Sequence, residues 1–272
     1  MCSPGPGDEI AGQAGGLPRL PVGVEWPSSG KGVPLPFIAS VDCAALPRAE
    51  GLPLPADGSL LFFLHHEEDH LACLGTGEPE FARVLYVPAG AETVVATPPP
   101  DHENLRPYHQ DIPFLIPEHR LSARVEPALP EWIEERDERD AEFESETVQR
   151  LLEELEHLDE LCEVVDDLWP GTGPGGAISL GGHCSEIGGQ DPPFTQLALF
   201  NLKDRFAAEP DLPRAEKHRL ENEEEDRLTR EWVPLVQFST ESEVYYGCFL
   251  ISLDDLAAKR FDRARSFTMF TE

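Results

Sequence analysis

Two apolar stretches stand out from a chain otherwise punctuated by prolines and glycines. The first, Val33 to Leu64, carries apolar runs at Pro36–Val41 and Ser59–Leu64 on either side of a Pro- and Gly-rich loop. Short runs of Phe, Ile, Val and Leu bounded in this way predict two β-strands. The second stretch, Trp232 to Leu256, repeats the pattern near the other end. Aligning Ser40 with Gln237 sets Ile38, Ala39 and Val41 opposite Leu235, Val236 and Phe238. After a shorter loop Gly58 then meets Gly247, and Leu60 and Phe62 meet Phe249 and Ile251, which keeps the two-residue period of a strand face. The echo predicts internal duplication of a strand-pair unit.

Other segments fill in around this pair. Ala82–Val87 reads as a further strand, and shorter ones are expected at Leu71–Leu74, Leu121–Val125 and Ser266–Phe270. Val148, Leu151, Leu155, Leu158, Cys162 and Val165 recur every three or four residues, which predicts one amphipathic helix of about five turns. Ser145 or Thr147 caps its start, and Pro170-Gly171 ends it. Leu197–Leu202 fits either a strand or the start of a helix. Lys203 to Arg230 reads as a charged, exposed helical insertion, and Leu253–Ala264 as a short helix or turn. Gly15 to Gly32 favours an extended, turning path anchored by Trp26. The fold class expected is α+β, β-rich, with one long acidic amphipathic helix. Residues 1–14 are expected to be a mobile N-terminal segment. Residues 15–272 then form a single domain: an N-terminal half (15–128), an acidic helical segment (129–170) and a C-terminal half (171–272).

Charge narrows the possible functions. The 272 residues include 52 acidic and 21 basic side chains, a net charge of −31. Between Glu131 and Leu168 there are 17 acidic and 3 basic residues, a net of −14. Such a chain repels phosphate backbones and anionic lipid, so no nucleic-acid or membrane partner is expected. A basic protein partner is the one its field would select. No apolar run reaches 18 residues, and the N-terminal stretch lacks the basic start and apolar run of a secretory signal. A cytoplasmic location and reduced thiols are therefore expected. The six cysteines are scattered with no CxxC pair, which argues against a zinc ribbon or a thioredoxin-like site.

His66-Glu67-Glu68-Asp69-His70 matches the HExxH pattern, whose chemistry needs both histidines on one face of a helix. Here it follows a predicted strand, where residues four apart lie too far from each other to share a zinc ion. The expectation is a solvated polar hairpin end, with no metal site assigned; the candidates for a metal are His65, His66 and His70. Gly171-Thr-Gly-Pro-Gly-Gly lacks the Gly-Lys-Ser/Thr ending of a phosphate loop, and no GxSxG elbow is present. No catalytic residue and no cofactor are assigned.

Several weak motifs in order resemble the YwqG-like proteins, a bacterial family of unknown function. They are Gly15-Gly-Leu-Pro with Leu20-Pro and Trp26-Pro, then Pro34 to Asp42, Gly58 to Phe63 and Ala82 to Tyr86. Leu180-Gly-Gly182, Gln190-Asp-Pro192, Trp232 to Ser239 and Asp254 to Asp262 continue the series. The resemblance implies a compact, β-rich α+β fold with internal duplication and no established reaction or cofactor. The chain departs from the family pattern where Ser40 replaces the usual Gln of the first strand, while Gln237 keeps it in the second. It also departs where HCSEIGG interrupts the second glycine motif and where Val244–Cys248 replaces a Trp-Gly-Asp-Ser-Gly-like turn.

A non-enzymatic acidic module that binds a basic protein is the function expected, and an immunity- or antitoxin-like role fits it. The alternative is an enzyme or small-ligand-binding protein with its site between the two halves. The binding residues named for that site are Trp26, Asp42, Gln190, Asp191 and Gln237.

Overall fold

The computed structural model describes residues 1, 8–66, 68–69, 80–105, 113–127, 129–134, 145–169, 178–184, 191–239 and 245–270. Its strands follow the apolar runs. They are β1 (Gly12–Ala14), β2 (Arg19–Pro21), β3 (Phe37–Asp42), β4 (Ser59–Leu64), β5 (Ala82–Val87), β6 (Thr93–Val95), β7 (His119–Leu121), β8 (Trp232–Ser239), β9 (Tyr245–Ser252) and β10 (Arg265–Phe270). Between β7 and β8 lie α1 (Glu131–Glu134), α2 (Glu146–Glu154), α3 (Leu158–Leu168), α4 (Pro193–Ala208) and α5 (Arg214–Glu231), and α6 (Leu253–Ala257) follows β9. Three antiparallel sheets result, in the orders β5-β4-β3-β1-β7, β10-β9-β8 and β2-β6. The class is α+β.

The duplication is written in the registers. In the first half Ala39 pairs with Phe62 and Ser40 with Leu61; in the second Val236 pairs with Phe249 and Gln237 with Cys248. Both long strands carry a bulge at the same place, at Ile38 between Phe37 and Ala39 and at Leu235 between Pro234 and Val236. A bulge turns two successive side chains to one face, and Ile38, Ala39, Leu235 and Val236 all enter one core. The third strands correspond too, since β5 pairs with β4 as β10 pairs with β9. The repeated unit is thus three strands, one more than the sequence echo predicts. The pairing also corrects the second-strand alignment by two residues: Leu60 corresponds to Gly247 and Phe62 to Phe249. An even slip leaves each residue on its expected face, so the alternation could not reveal it.

Each large sheet is buried on both faces. Leu60, Phe62, Leu64, Phe238, Phe249 and Ile251 belong to the core shared by the halves. There Phe62 meets its own counterpart Phe249, with ring centroids 6.0 Å apart. The outer face of the first sheet packs Phe37, Leu61 and Phe63 with Leu20 and Ala96. The outer face of the second sheet packs Cys248, Leu250 and Phe267 with Phe194, Leu197 and Leu228 of α4 and α5. Those helices run back along each other, with Thr195 donating to Glu225 (3.0 Å) and Asn201 to Glu224 (2.8 Å).

Three expectations change. β1 lies between β3 and β7, so the described fold begins at or before Gly12, ahead of residue 15. A Cβ on Gly12 would sit 2.2 Å from the Ser40 carbonyl oxygen, and this close approach is why so unpromising a run forms a strand. Leu197–Leu202 is the middle of the helix α4. The acidic stripe is two helices, broken at Leu155–His157 with His157 at φ 66°. Carboxylates at 153, 154, 156, 159 and 160 would repel along one continuous helix. The break places Asp159 and Glu160 in the first turn of α3, where the helix dipole favours negative charge. The strand expected at Leu71–Leu74 lies outside the described residues.

Candidate functional site

The elements that join the halves begin with two Gly–Gly turns. Gln13 of β1 pairs with Ser40, and Ser179 pairs with Gln237 in the same way. Two residues beyond Gln13 and beyond Ser179 the chain turns through left-handed glycines, Gly15-Gly16 at φ 63° and 69° and Gly181-Gly182 at φ 74° and 79°. That conformation is one glycine adopts without Cβ strain. A glutamine amide fixes each turn. Gln13 Nε2 donates to the carbonyls of Gly15 (3.0 Å) and Leu17 (3.2 Å). Gln237 Nε2 donates to the corresponding carbonyls of Gly181 (3.4 Å) and His183 (3.0 Å). The glutamine has changed strands: each cross-strand pair holds one Gln and one Ser, in opposite order. In the first half Gln13 thus supplies the amide that Ser40 lacks.

The HExxH segment has a counterpart as well. The β4–β9 register carries His65 onto Ser252, His66 onto Leu253 and Asp69 onto Leu256. Ser252 Oγ caps α6 by accepting from the Asp255 N–H (3.1 Å), and His65 Nδ1 accepts from the Glu68 N–H (3.3 Å) at the same position. The described residues 65, 66, 68 and 69 make a capped helical turn rather than a solvated hairpin end, and His66 and Asp69 are fully buried. His66 stands edge-on to Phe238 (5.6 Å) and beside Tyr245 (6.0 Å) of the second half. The Asp69 carboxylate accepts from Ser266 Oγ (2.7 Å) and Thr268 Oγ1 (2.9 Å) of β10. His70 lies outside the described residues. Among those described, no group of three or more His, Cys, Asp and Glu could hold a metal ion.

Burial, reinforced by the neighbouring His65, lowers the His66 pKa from 6.5 to about 3. In that window the unfolded chain takes up a proton that the folded chain refuses, so stability is full above pH 6.5 and falls as pH drops toward 3. Between pH 7 and 5 this imidazole should account for a loss on the order of 2 kcal/mol. Urea melts across that range should show the slope, and His66→Leu, which copies Leu253, should flatten that part of it.

The binding residues named from sequence do not converge. Trp26 is half-buried on the outer face of the first sheet, donating to the Leu35 carbonyl (2.8 Å) and packing against Phe63 and Phe114. Gln237 alternates with core-facing Val236 and Phe238, and so points to the outer side of the second sheet. Two sheets and the shared core separate it from Trp26. Asp42 is exposed and closes its own turn by accepting from the Ala44 N–H (2.9 Å). Asp191 is exposed just before α4, its carbonyl accepting from Gln196 (2.7 Å). Gln190 lies outside the described residues. A cleft of about 470 Å³ does open between the halves, elsewhere. Leu46, Arg48, Leu52 and Arg124 line it from one side, Gly181 and Val233 from the other. Its arginines are occupied: Arg48 donates to the carbonyls of Leu54 (3.2 Å) and Pro55 (3.4 Å), and Arg124 pairs with Glu126.

A different surface went unnamed as a residue set. Helices α2 and α3 bury none of their side chains. Ser145 Oγ caps α2 through the Val148 N–H (3.2 Å) and donates to Asp226 of α5 (2.9 Å), which ties the segment to the body. Leu155, Leu161, Val164, Leu168 and Trp169 are all exposed, Leu168 by 63%. Around them residues 146–169 hold nine carboxylates and one cation, Arg150. Of these five only Leu155 belongs to the periodic stripe, whose other members Val148, Leu151, Leu158, Cys162 and Val165 are half-buried.

No helix among the described residues is long and apolar enough to cross a membrane. No curated protein matches the chain. The model of one family, the domain of unknown function DUF1963, matches residues 12–268, from β1 through to β10. That span takes in both copies of the repeated unit and the two Gly–Gly turns, and the chain is a member of the DUF1963 family.

Proposed function

We propose that this protein is a non-enzymatic binding module that docks a basic, amphipathic segment of another protein on α2 and α3. The observation that carries the reading is an exposed apolar set, Leu155 before α3, Leu161, Val164 and Leu168 on it and Trp169 after it, among the nine carboxylates of residues 146–169. Apolar contacts would supply affinity there, and the carboxylates would select cations and speed encounter. Neutralising a basic protein, as an immunity protein or antitoxin does, is a function of this form. The motif order supports placing the chain with the YwqG-like proteins, and the reading is of a cytoplasmic protein.

The test is calorimetric titration with a lysine-rich peptide that folds as an amphipathic helix, beside an equally charged peptide lacking the apolar face. Leu161→Ser with Leu168→Ser leaves the charge unchanged. Each substitution should weaken binding of the amphipathic peptide by roughly 10- to 100-fold, given about 1.5–3 kcal/mol for each leucine fully buried. Equal binding of both peptides, or no effect of the substitutions, would reduce the surface to a nonspecific polyanion.

A second reading, a small-ligand site between the halves, is favoured by the cleft at Leu46–Leu54 and Gly181. It ranks behind because the arginines of that cleft already have partners within the chain.

A further inference from the structure

We propose that Cys184 and Cys248 are a redox-modification site, a dithiol that closes to a reversible disulfide and clamps the second Gly–Gly turn onto β9. Their sulfurs lie 3.5 Å apart, although 64 residues separate them in the chain. The approach is built in by neighbours: Cys248 stands opposite Gln237 on β9, and Gln237 holds the carbonyl of His183, the residue before Cys184. A disulfide needs the sulfurs at about 2.05 Å, so they must close by ~1.5 Å. Side-chain rotation with a small movement of the exposed Gly182-His183 segment supplies that.

The pair is not inherited from the duplicated unit. Its positions in the first half hold Leu61 and Pro18, so the thiols belong to the second copy alone. The two sulfurs also differ in access. Cys184 is half-buried, whereas Cys248 is 1% exposed, and burial together with the Cys184 contact raises its pKa. The accessible sulfur is the one an oxidant meets.

With hydrogen peroxide as oxidant, the Cys184 thiolate attacks one peroxide oxygen, the O–O bond breaks, and the leaving hydroxide takes up a proton, so that a sulfenic acid and one water form. The Cys248 sulfur then displaces the sulfenic hydroxyl as a second water, forming the S–S bond. Two thiols lose two protons and two electrons, and one hydrogen peroxide becomes two waters. Leu180, Gly181 and Gly182 form one wall of the inter-half cleft, so the bond would fix that wall to the sheet.

Mild hydrogen peroxide treatment of the purified chain, followed by intact mass and peptide mapping under denaturing alkylation, tests this directly. The expected result is a loss of 2 Da, a peptide linking positions 184 and 248, and reversal by dithiothreitol. The oxidised protein should melt roughly 5–10 °C higher than the reduced form. Cys184→Ser should abolish the link and the shift. Both thiols remaining open to alkylation, a link through other cysteines, or an unchanged melting temperature with the link in place would overturn the proposal.

Discussion

Phe249→Ala is expected to destabilise the fold by roughly 3–5 kcal/mol, the cost of truncating a buried Phe where the core cannot collapse. Phe249 is 1% exposed and Phe62 wholly buried, and their rings meet at a tilt of 47° at the contact between corresponding strands. Because they occupy the same place in the two halves, Phe62→Ala should cost about as much. The double variant should cost less than the sum by roughly 0.5–3 kcal/mol, because contacting residues share one cavity. Urea denaturation of the four proteins measures this. Strict additivity, or a small effect of either variant, would mean that the halves do not share a core at this point.

The second large effect is at Asp69. Asp69→Leu should destabilise by about 2–4 kcal/mol, since it removes the buried acceptor of the Ser266 and Thr268 hydroxyls. The duplication supplies the rescue. Asp69 corresponds to Leu256 and Ser266 to Val84, so both counterparts are apolar, while Thr268 corresponds to Tyr86. Asp69→Leu combined with Ser266→Val and Thr268→Val should recover much of the loss, because replacing a buried acceptor together with its donors by apolar groups can be nearly neutral. A triple variant as unstable as the single one would show that this carboxylate serves more than its two hydroxyls.

These corresponding positions explain what sequence could and could not reveal. The strand pairs were legible because Phe, Leu, Ile and Val alternate between turn residues. The shared bulge at Ile38 and Leu235 was aligned correctly through Ser40 and Gln237, but nothing in the alternation marks a bulge. The two-residue slip in the second strand escaped for a related reason: it preserves the face of every side chain. β1 was missed because Gly12-Gln13-Ala14 owes its strand to a close backbone approach rather than to propensity. Its glutamine, whose amide replaces the one absent at position 40, was missed with it.

The candidate sites were less legible. The strand context read for HExxH does not hold, because residues 66, 68 and 69 turn as a helix, and the burial of His66 and Asp69 could not be foreseen. A charged pentapeptide reads as solvated unless the Ser252–Asp255 cap is recognised as its counterpart. The acidic stripe kept its three- and four-residue spacing across the break, since Leu155 and Leu158 are three apart whether or not a helix joins them. Periodicity also reports that a face is apolar and is silent on what covers it. The proposed thiol pair was invisible for a simpler reason: its members stand 64 positions apart in the sequence.

The docking surface is tested most directly by amide hydrogen exchange of the whole chain with and without the lysine-rich amphipathic peptide. Slowed exchange concentrated in residues 145–169 is the result expected if α2 and α3 receive a basic partner. Protection confined to residues 46–54 and 123–126 of the cleft, or found nowhere while the peptide is bound, would contradict it.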